Sequence, residues 1–342
     1  MNSECTHHSP LTTHQNHSQM KKNYSRRDFM ANAGILLAGA SLKLNGLASV
    51  AESKKEPIID IHQHIYYNAR NDEEMLAHQK AMGITTTILL PSGRPVSALA
   101  AYKGLPDGFQ SKFGRVGGNA ESYLFAKQHK KEFKFGVSAV PDLPNAIQEI
   151  EKYLKLGAVI IGELKFSVEC DSTEMQKIYQ LAQTYDVPVL MHWQYKMYNY
   201  GFERFYKMLE KYPKVNFIGH AQTWWANIDK NHTDQSVLNP KGPVTAGGIT
   251  DRYLSDYPNM YGDLSAGSGL NALTRDEDHA KLFLERHQDK LLYGSDCDDK
   301  SGLASSLDCS GALDIAEIRK LVPDKKIQRK LLYENSKKLF RL

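Results

Sequence analysis

The sequence predicts an α/β fold, a closed (β/α)8 TIM barrel of eight parallel strands. Eight short runs rich in β-forming residues alternate with amphipathic stretches, which is typical of consecutive βαβ units. Four of these runs end in residues that commonly bind metals: P-I-I-D-I-H-Q-H, V-P-V-L-M-H, V-N-F-I-G-H and K-L-L-Y-G-S-D. Because the carboxyl ends of barrel strands meet at one face, we expect a site inside the barrel mouth.

The elements follow one another at regular spacing. The expected strands are Pro57–His62, Ile84–Leu90, Phe133–Val140, Ala158–Phe166, Val187–His192, Val215–His220, Asn259–Leu264 and Lys290–Gly294. Apolar periodicity predicts helices over Asn145–Leu156, Ser172–Tyr185 and Gly201–Tyr212, the second of them capped by Asp171 or Ser172. Two longer segments, Pro91–Asn119 and Gln222–Gly248, follow strands on the carboxyl face. They are either substrate loops or ordinary insertions.

The first 51 residues predict an export signal that precedes the barrel. The pattern S-R-R-D-F-M at residues 25–30 is followed by an apolar stretch over residues 31–47 and a small-x-small cleavage site at residues 49–51. This order is typical of a Tat signal peptide with a polar leader. We expect the Tat export machinery as a partner, a periplasmic mature protein, and a barrel over residues 52–342. A disordered tail, or a core helix after a chance arginine pair, is the alternative.

The composition of the chain limits the classes of molecule that we expect it to bind. The chain has 342 residues, is 41% hydrophobic and carries a formal charge of +4, of which three charges lie in the leader. The mature part therefore gives no reason to expect nucleic acid or a membrane surface as a partner. No apolar stretch after residue 52 is long enough to span a bilayer. We expect a small-molecule substrate, and a homo-oligomer stays open.

The cysteines of the mature part do not form a disulfide framework. Cys170, Cys297 and Cys309 are an odd number without close spacing. Cys297 and Cys309 either pair in an oxidising compartment or stay reduced.

A pair of histidines at the end of the first strand predicts a metal site. His62 and His64 are two residues apart, so both side chains lie on one face of a strand, together with Asp60. Two imidazoles that point into a barrel mouth can bind zinc or a similar divalent ion. A hydrogen-bonded pair of core histidines is the alternative.

Three further strand ends carry candidate residues. His192 ends the fifth strand, where a lone histidine is more often structural. As the third such histidine it is a candidate ligand, because a metal offsets the desolvation of several converging imidazoles. Asp296 follows the eighth strand and can ligate the ion or accept a proton from its water, unless it only caps a helix. His220 ends the sixth strand, and we expect it beside the metal as a catalytic residue rather than as a ligand.

The fourth strand and two loops supply candidates for substrate binding. Glu163 and Lys165 in G-E-L-K-F share one face that points inward. Glu163 is a candidate ligand or bridge to a second ion. Lys165 is a candidate for carboxylation or for binding a substrate carboxylate, or the two form a structural ion pair. Arg94, after the second strand, and Trp193, after the fifth, are further candidates for substrate contact.

These motifs resemble the amidohydrolase superfamily, in particular the amidohydrolase-related group that includes aminocarboxymuconate-semialdehyde decarboxylase. The resemblance spans about residues 57 to 340. It rests on D-I-H-Q-H, G-E-L-K-F, V-L-M-H-W, F-I-G-H-A and L-Y-G-S-D. It implies a (β/α)8 barrel with one or two divalent metals, usually zinc. The implied mononuclear ligands are His62, His64, His192 and Asp296, with His220 as the catalytic histidine. Glu163 and Lys165 both lie where binuclear members carry a bridging group, so the metal count stays open.

The expected activity is that of a metal-dependent hydrolase. A metal lowers the pKa of its water toward about 7, so that hydroxide forms at neutral pH. Asp296 accepts the proton, His220 holds the nucleophile, and an ester, lactone or amide carbonyl is attacked. A metal-dependent non-oxidative decarboxylase acting on an unsaturated or aromatic acid is the first alternative. A non-catalytic metal-containing binding protein is the second.

Overall fold

Eight parallel strands form the centre of the computed structural model, which describes residues 56–91, 109–111, 114–306 and 308–342. The predicted leader and Arg94 lie outside the described residues. The strands are β1 Ile59–Gln63, β2 Thr86–Leu89, β5 Phe133–Phe135, β6 Ile161–Leu164, β7 Val189–His192, β8 Phe217–His220, β9 Met260–Asp263 and β10 Leu291–Leu292. A small antiparallel hairpin of β3 Phe109–Ser111 and β4 Gly114–Val116 lies between β2 and β5 in the chain.

Backbone hydrogen bonds close the strands into a barrel. The order is β1-β2-β5 in one sheet and β10-β9-β8-β7-β6 in the other. At one seam, Gly162 N donates to Val137 O over 2.8 Å. At the other, Asp296 N donates to His62 O over 2.7 Å. The prediction of eight parallel strands is therefore confirmed.

Several predicted strands and one predicted helix were longer than the elements in the structure. β5, β6 and β10 are shorter than the apolar runs that predicted them, because those runs continue beyond the paired residues. The helix predicted over Gly201–Tyr212 is instead a 3-10 turn, Phe202–Arg204, followed by a short helix, Tyr206–Lys211. The segment after β8 begins with a helix, Gln222–Ala226, rather than with a loop.

Helices surround the strands. They are α1 Asp72–Met82, α2 Asn119–Gln128, α3 Ala146–Lys155, α4 Thr173–Tyr185, α5 Tyr206–Lys211, α6 Gln222–Ala226, α7 Ile249–Asp256, α8 Ala266–Thr274, α9 Glu277–Arg286, α10 Ser310–Leu321, α11 Lys325–Arg329 and α12 Asn335–Phe340. Ser172 caps α4 by accepting a hydrogen bond from Met175 N, which satisfies one of the free N–H groups of its first turn. No described helix has both the length and the apolar character that a membrane span requires.

A layer of buried apolar side chains lies beneath the barrel mouth. One buried cluster consists mainly of aliphatic side chains from the strands and ends at Phe340 of α12: Ile59, Ile61, Ile88, Leu90, Ile160, Leu190, Ile218, Leu292 and Phe340. Leu190 and Ile218 lie two residues before His192 and His220, so they share a strand face with these histidines. The imidazoles therefore lie above a packed apolar layer. A second, larger cluster contains the side chains that pack between the strands and the helices.

Candidate metal centre

Six strands bring four histidines and three carboxylates together at the barrel mouth. They are His62 and His64 from β1 and the residue just beyond it, Glu163 from β6, His192 from β7, His220 from β8, Asp263 from β9, and Asp296 after β10. Asp296 is the most exposed, with 11% of its side chain accessible. These groups, far apart in sequence, meet in one buried space, as the strand-end pattern predicted.

A bulge in β1 directs His62 toward this space. The pairing of β1 with β2 shifts between Asp60 and Gln63, so one extra residue is inserted there. Asp60 accepts hydrogen bonds from Ser295 and from Gln79 of α1. His62 instead contacts Asp263 across the barrel. The expectation that Asp60 shares the inward face of His62 was therefore wrong, because the bulge breaks the period of two.

The imidazoles of His62 and His64 point their Nε2 atoms at each other. His62 Nδ1 lies 2.7 Å from Asp263 Oδ2, and His64 Nδ1 lies 2.7 Å from the carbonyl oxygen of Leu90. Since these oxygens can only accept, each Nδ1 carries the proton and a neutral ring has its lone pair on Nε2. The two Nε2 atoms are 3.2 Å apart, and Asp296 Oδ1 lies 3.3 Å from that of His64.

This arrangement fits a bound cation. Asp296 Oδ1 is buried and has no hydrogen-bond partner among the described residues. These three atoms lie 3.2 to 3.8 Å from one another, and lone pairs at such distances repel unless a cation lies between them. Histidines that bind metals commonly donate their other ring N–H to a carboxylate or a carbonyl, as His62 and His64 do here. The donor set of imidazole nitrogens and a carboxylate suits zinc or a similar divalent ion.

Glu163 lies between the other members of the site. Its Oε1 is 2.5 Å from His192 Nδ1, 3.7 Å from Lys165 Nζ and 3.7 Å from His220 Nε2. Its Oε2 is 3.6 Å from His64 Nε2. Burial alone would raise the pKa of Glu163, but the charge of Lys165 and the hydrogen bond from His192 outweigh it and hold the pKa well below its usual range. Glu163 is thus an ionised carboxylate within reach of a metal, and Lys165 lies beside it.

Asp263 is a site residue that the sequence analysis missed. Besides His62, it accepts from His220 Nδ1 over 3.2 Å and from the Ser265 hydroxyl over 2.8 Å. Burial opposes its ionisation, yet the nearby His62 and His220 lower its pKa to about 2. Asp263 thereby orients two imidazoles at once. The available signal was the run N-M-Y-G-D, which ends in a carboxylate as the eighth strand does.

His220 lies between two carboxylates. Burial disfavours its imidazolium, but hydrogen bonds with Asp263 and Asp296 raise its pKa to about 10. Its Nε2 is 3.5 Å from Asp296 Oδ2, so the two residues expected to be catalytic lie side by side.

His192 lies at the edge of the converging atoms. Two overlapping sets of possible ligands have their atoms within 4.8 Å of one another: His62, His64 and Asp296, and His62, Glu163 and His220. His192 belongs to neither set. Its Nδ1 contacts Glu163, and its Nε2 lies 3.2 Å from Gln194 Oε1. Burial, together with the charge of Lys165, lowers the pKa of His192 to about 4, so the ring is neutral. Glu163 and His220 therefore belong to a set of converging ligand atoms, whereas His192, which the sequence predicted as a ligand, does not.

Trp193 lies away from the site. Its side chain is fully buried and packs against Phe202 and Phe205, at ring-centroid distances of 5.1 and 4.9 Å. His192 points into the barrel, so the next residue of an extended chain points outward. The position of Trp193 thus gives no support to the expected substrate contact. A cavity of about 550 Å³ does lie beside Gln194, and Tyr195, Lys196 and Thr223 contribute to its lining.

Comparison with known proteins agrees with this geometry. The family model described as Amidohydrolase matches residues 59–342. No curated protein sequence matches the chain.

Solved structures with a similar backbone come from several bacteria. One is a probable 2-pyrone-4,6-dicarboxylic acid hydrolase from Acinetobacter baumannii with citric acid bound (TM-score 0.53, 15% identity, 83% of this chain and 99% of that one). Another is a dihydroxybenzoic acid decarboxylase from Polaromonas with manganese and 2-nitroresorcinol bound (TM-score 0.52, 14%, 84% and 97%). A third is a 2,6-dihydroxybenzoate decarboxylase from Rhizobium (TM-score 0.51, 13%, 84% and 99%). At these identities the likeness shows the shared fold.

Proposed function

The chain belongs to the amidohydrolase family and is an enzyme, and from this we propose that it hydrolyses an ester, lactone or amide bond of a small molecule. The observation that supports this most is the convergence of His62 Nε2, His64 Nε2 and Asp296 Oδ1 in one buried space. Members of the family use a divalent metal, and this donor set suits one.

We propose zinc as the ion, held by His62, His64 and Asp296, with His192 or Glu163 completing the site. When bound there, a divalent ion supplies a Lewis acid that acidifies water and polarises a carbonyl. Glu163 belongs to the set with His62 and His220, and its Oε2 also lies 3.6 Å from His64 Nε2, which favours a place for a second ion.

The residues of the chain supply the proton transfers. Asp296 is 11% exposed, so one of its edges faces the barrel opening where water and substrate enter. It holds the proton taken from the attacking water and returns it to the leaving group. His220, anchored by Asp263, orients the nucleophile and keeps Asp296 ionised between turnovers. Lys165 binds a carboxylate or another polar group of the substrate.

A non-oxidative decarboxylase is the second candidate. Lys165 Nζ lies 3.7 Å from Glu163 Oε1, and its side chain is 21% exposed at the mouth. A cation in this position can hold a substrate carboxylate beside the metal, as decarboxylation requires. The similar structures include hydrolases and decarboxylases, so the shared fold does not separate the two reactions.

An assay panel separates these candidates. Protein loaded with zinc or manganese is given lactones, esters, amides and aromatic acids, while acid release and carbon dioxide release are followed separately. We expect acid release that disappears in Asp296→Asn. Carbon dioxide release without hydrolysis of any neutral substrate would replace the hydrolase proposal with the decarboxylase.

The cellular setting is also a proposal. The twin-arginine pattern at residues 25–30 supports export by the Tat machinery to the periplasm. Replacing Arg26 and Arg27 with lysine should leave the enzyme in the cytoplasmic fraction. An unchanged distribution would contradict the proposed route.

A further inference from the structure

A second group of potential metal ligands lies outside the barrel mouth. It consists of His78 from α1, Cys297, which follows Asp296, and Cys309, the N-cap of α10. The two sulfur atoms are 3.2 Å apart, and Cys309 Sγ is 3.6 Å from His78 Nε2. All three side chains are at most 1% exposed. One ligand atom from each lies within 4.8 Å of the other two.

The cluster faces away from the catalytic groups. Asp296 points to His62, His64 and His220, whereas the next residue points toward α1. Its members come from three separate elements, so their meeting is a property of the folded chain. Met82, one turn after His78 on α1, adds a thioether sulfur 3.7 Å from Cys309 Sγ.

We propose that His78, Cys297 and Cys309 form a second metal site, for a soft cation such as zinc(II) or copper(I). Two thiolates with one imidazole are a ligand set that these ions prefer, and a nearby thioether favours copper(I) further. Full burial indicates a closed structural site, since no position faces solvent for a substrate or a water molecule.

The alternative is a disulfide between Cys297 and Cys309. The two sulfur atoms are 3.2 Å apart, farther than the about 2.05 Å of a disulfide bond. The imidazole of His78 is completely buried, its Nδ1 has no hydrogen-bond partner among the described residues, and its Nε2 lies 3.6 Å from the sulfur of Cys309. A disulfide would remove the thiol hydrogens and leave the imidazole with weaker partners, which is costly for a buried polar group. A metal uses the imidazole and both sulfurs together, so it accounts for all three residues.

A metal in this site would hold the segment that carries Asp296. Asp296 has a positive φ of 38°, a conformation that non-glycine residues rarely adopt. The backbone N–H of Asp296 donates a hydrogen bond to His62 O. Ligation of the adjacent Cys297 would join this segment to α1 and α10, and thereby maintain the position of the catalytic carboxylate.

Cadmium binding tests the proposal, because thiolate-bound cadmium absorbs in the near ultraviolet and cadmium with nitrogen and oxygen ligands does not. The full-length protein is reduced, stripped of metal and titrated without oxygen. We expect an absorption band that saturates at one cadmium ion per chain and disappears when zinc(II) is added in excess. The barrel mouth also binds cadmium but contributes nothing to this band, so failure of the proposed hydrolase activity would not affect the result.

Variants assign the band to residues. Cys297→Ser and Cys309→Ser should each abolish it, and His78→Ala should weaken cadmium binding. Cys170→Ser is the matched control, because Cys170 is equally buried but donates to Gly201 O and belongs to no group of ligands among the described residues. Its band should stay unchanged. If either serine variant is unfolded, the titration of His78→Ala and of the wild type decides. Absence of the band from reduced wild type, or its persistence in Cys297→Ser, would overturn the proposal.

Discussion

Two buried clusters of histidine and carboxylate in this barrel differ in whether each carboxylate oxygen has a hydrogen-bond donor. Asp251 on α7 accepts from His287 Nε2 at 2.6 Å, from Arg286 Nη1 at 2.9 Å and from Gly247 N at 2.8 Å. Each carboxylate oxygen has a matching N–H. At the barrel mouth, by contrast, Asp296 Oδ1 has no hydrogen-bond partner among the described residues, and it faces the Nε2 atoms of His62 and His64.

This difference separates a structural cluster from a metal centre. Asp251 and Asp263 both have a pKa of about 2, so a low pKa does not distinguish the two sites. What distinguishes them is the group of facing acceptor atoms at the barrel mouth, which a bound cation would neutralise. Four predictions test this comparison.

The largest effect is expected from Asp296→Asn. The amide cannot hold the transferred proton, so turnover should fall by about 10² to 10⁴-fold. Asp251→Asn is the matched control, since it removes the same charge from the structural cluster and should leave turnover at the wild-type rate. Steady-state kinetics with added metal measures both. Equal losses in the two variants would mean that the clusters do not differ in function.

The next effect is expected at Asp263, which orients His62 and His220 from behind. Asp263→Asn should weaken metal binding by about 10 to 100-fold, because the neutral amide supports the two imidazoles less well. Competition with a chelator of known affinity measures this change, and circular dichroism checks that the barrel remains folded. Unchanged affinity would remove Asp263 from the metal centre.

A smaller effect is expected at Lys165. Lys165→Met should raise KM about tenfold or more for substrates that carry a carboxylate, because a hydrogen bond to a charged group contributes about 1.5 to 3 kcal/mol. Lys165→Arg keeps the charge and should recover part of the loss. An equal change for neutral substrates would show that Lys165 acts through Glu163 instead.

The smallest effect on catalysis is expected at Asp251, where the change is in stability. Burial raises the pKa of this group, but the hydrogen bond from His287 and the charge of Arg286 lower it from 3.8 to about 2. A carboxyl whose pKa is lower in the folded state stabilises the fold above pH 4, and this contribution is lost as the pH falls toward 2. Asp251→Asn should cost about 1 to 2 kcal/mol at pH 7 after allowance for screening.

Urea denaturation at a series of pH values measures this contribution. The difference between wild type and Asp251→Asn should shrink between pH 4 and 2. A constant difference over that range would show that the charge of Asp251 has no role in stability.

Much of the fold could be predicted because barrels repeat a simple pattern. Each strand of this chain is a short apolar run, and the polar residue at its end marks the carboxyl face. His62, His64, His192, His220 and Asp296 were found in this way, and Glu163 and Lys165 from the period of two along a strand. The family of the chain followed from the same residues.

The remaining errors have physical causes. Asp263 was missed because its role, support of two imidazoles, depends on contacts across the barrel that no local pattern shows. The bulge that separates Asp60 from His62 depends on pairing with β2. Trp193 was expected to contact the substrate because it follows His192. Strand alternation instead directs its side chain away from the barrel interior, where it packs against Phe202 and Phe205. The arrangement of hydrogen-bond donors and acceptors at the barrel mouth likewise depends on contacts that form only in the folded chain.

Elemental analysis of the protein, purified without chelator, tests the central claim most directly. Comparison of wild type with the double variant His62→Ala/His64→Ala isolates the ion of the barrel mouth from any ion at Cys297 and Cys309. The account predicts that the double variant contains at least one divalent ion per chain fewer than wild type and is inactive. Equal metal content in the two proteins, or an active double variant, would contradict it.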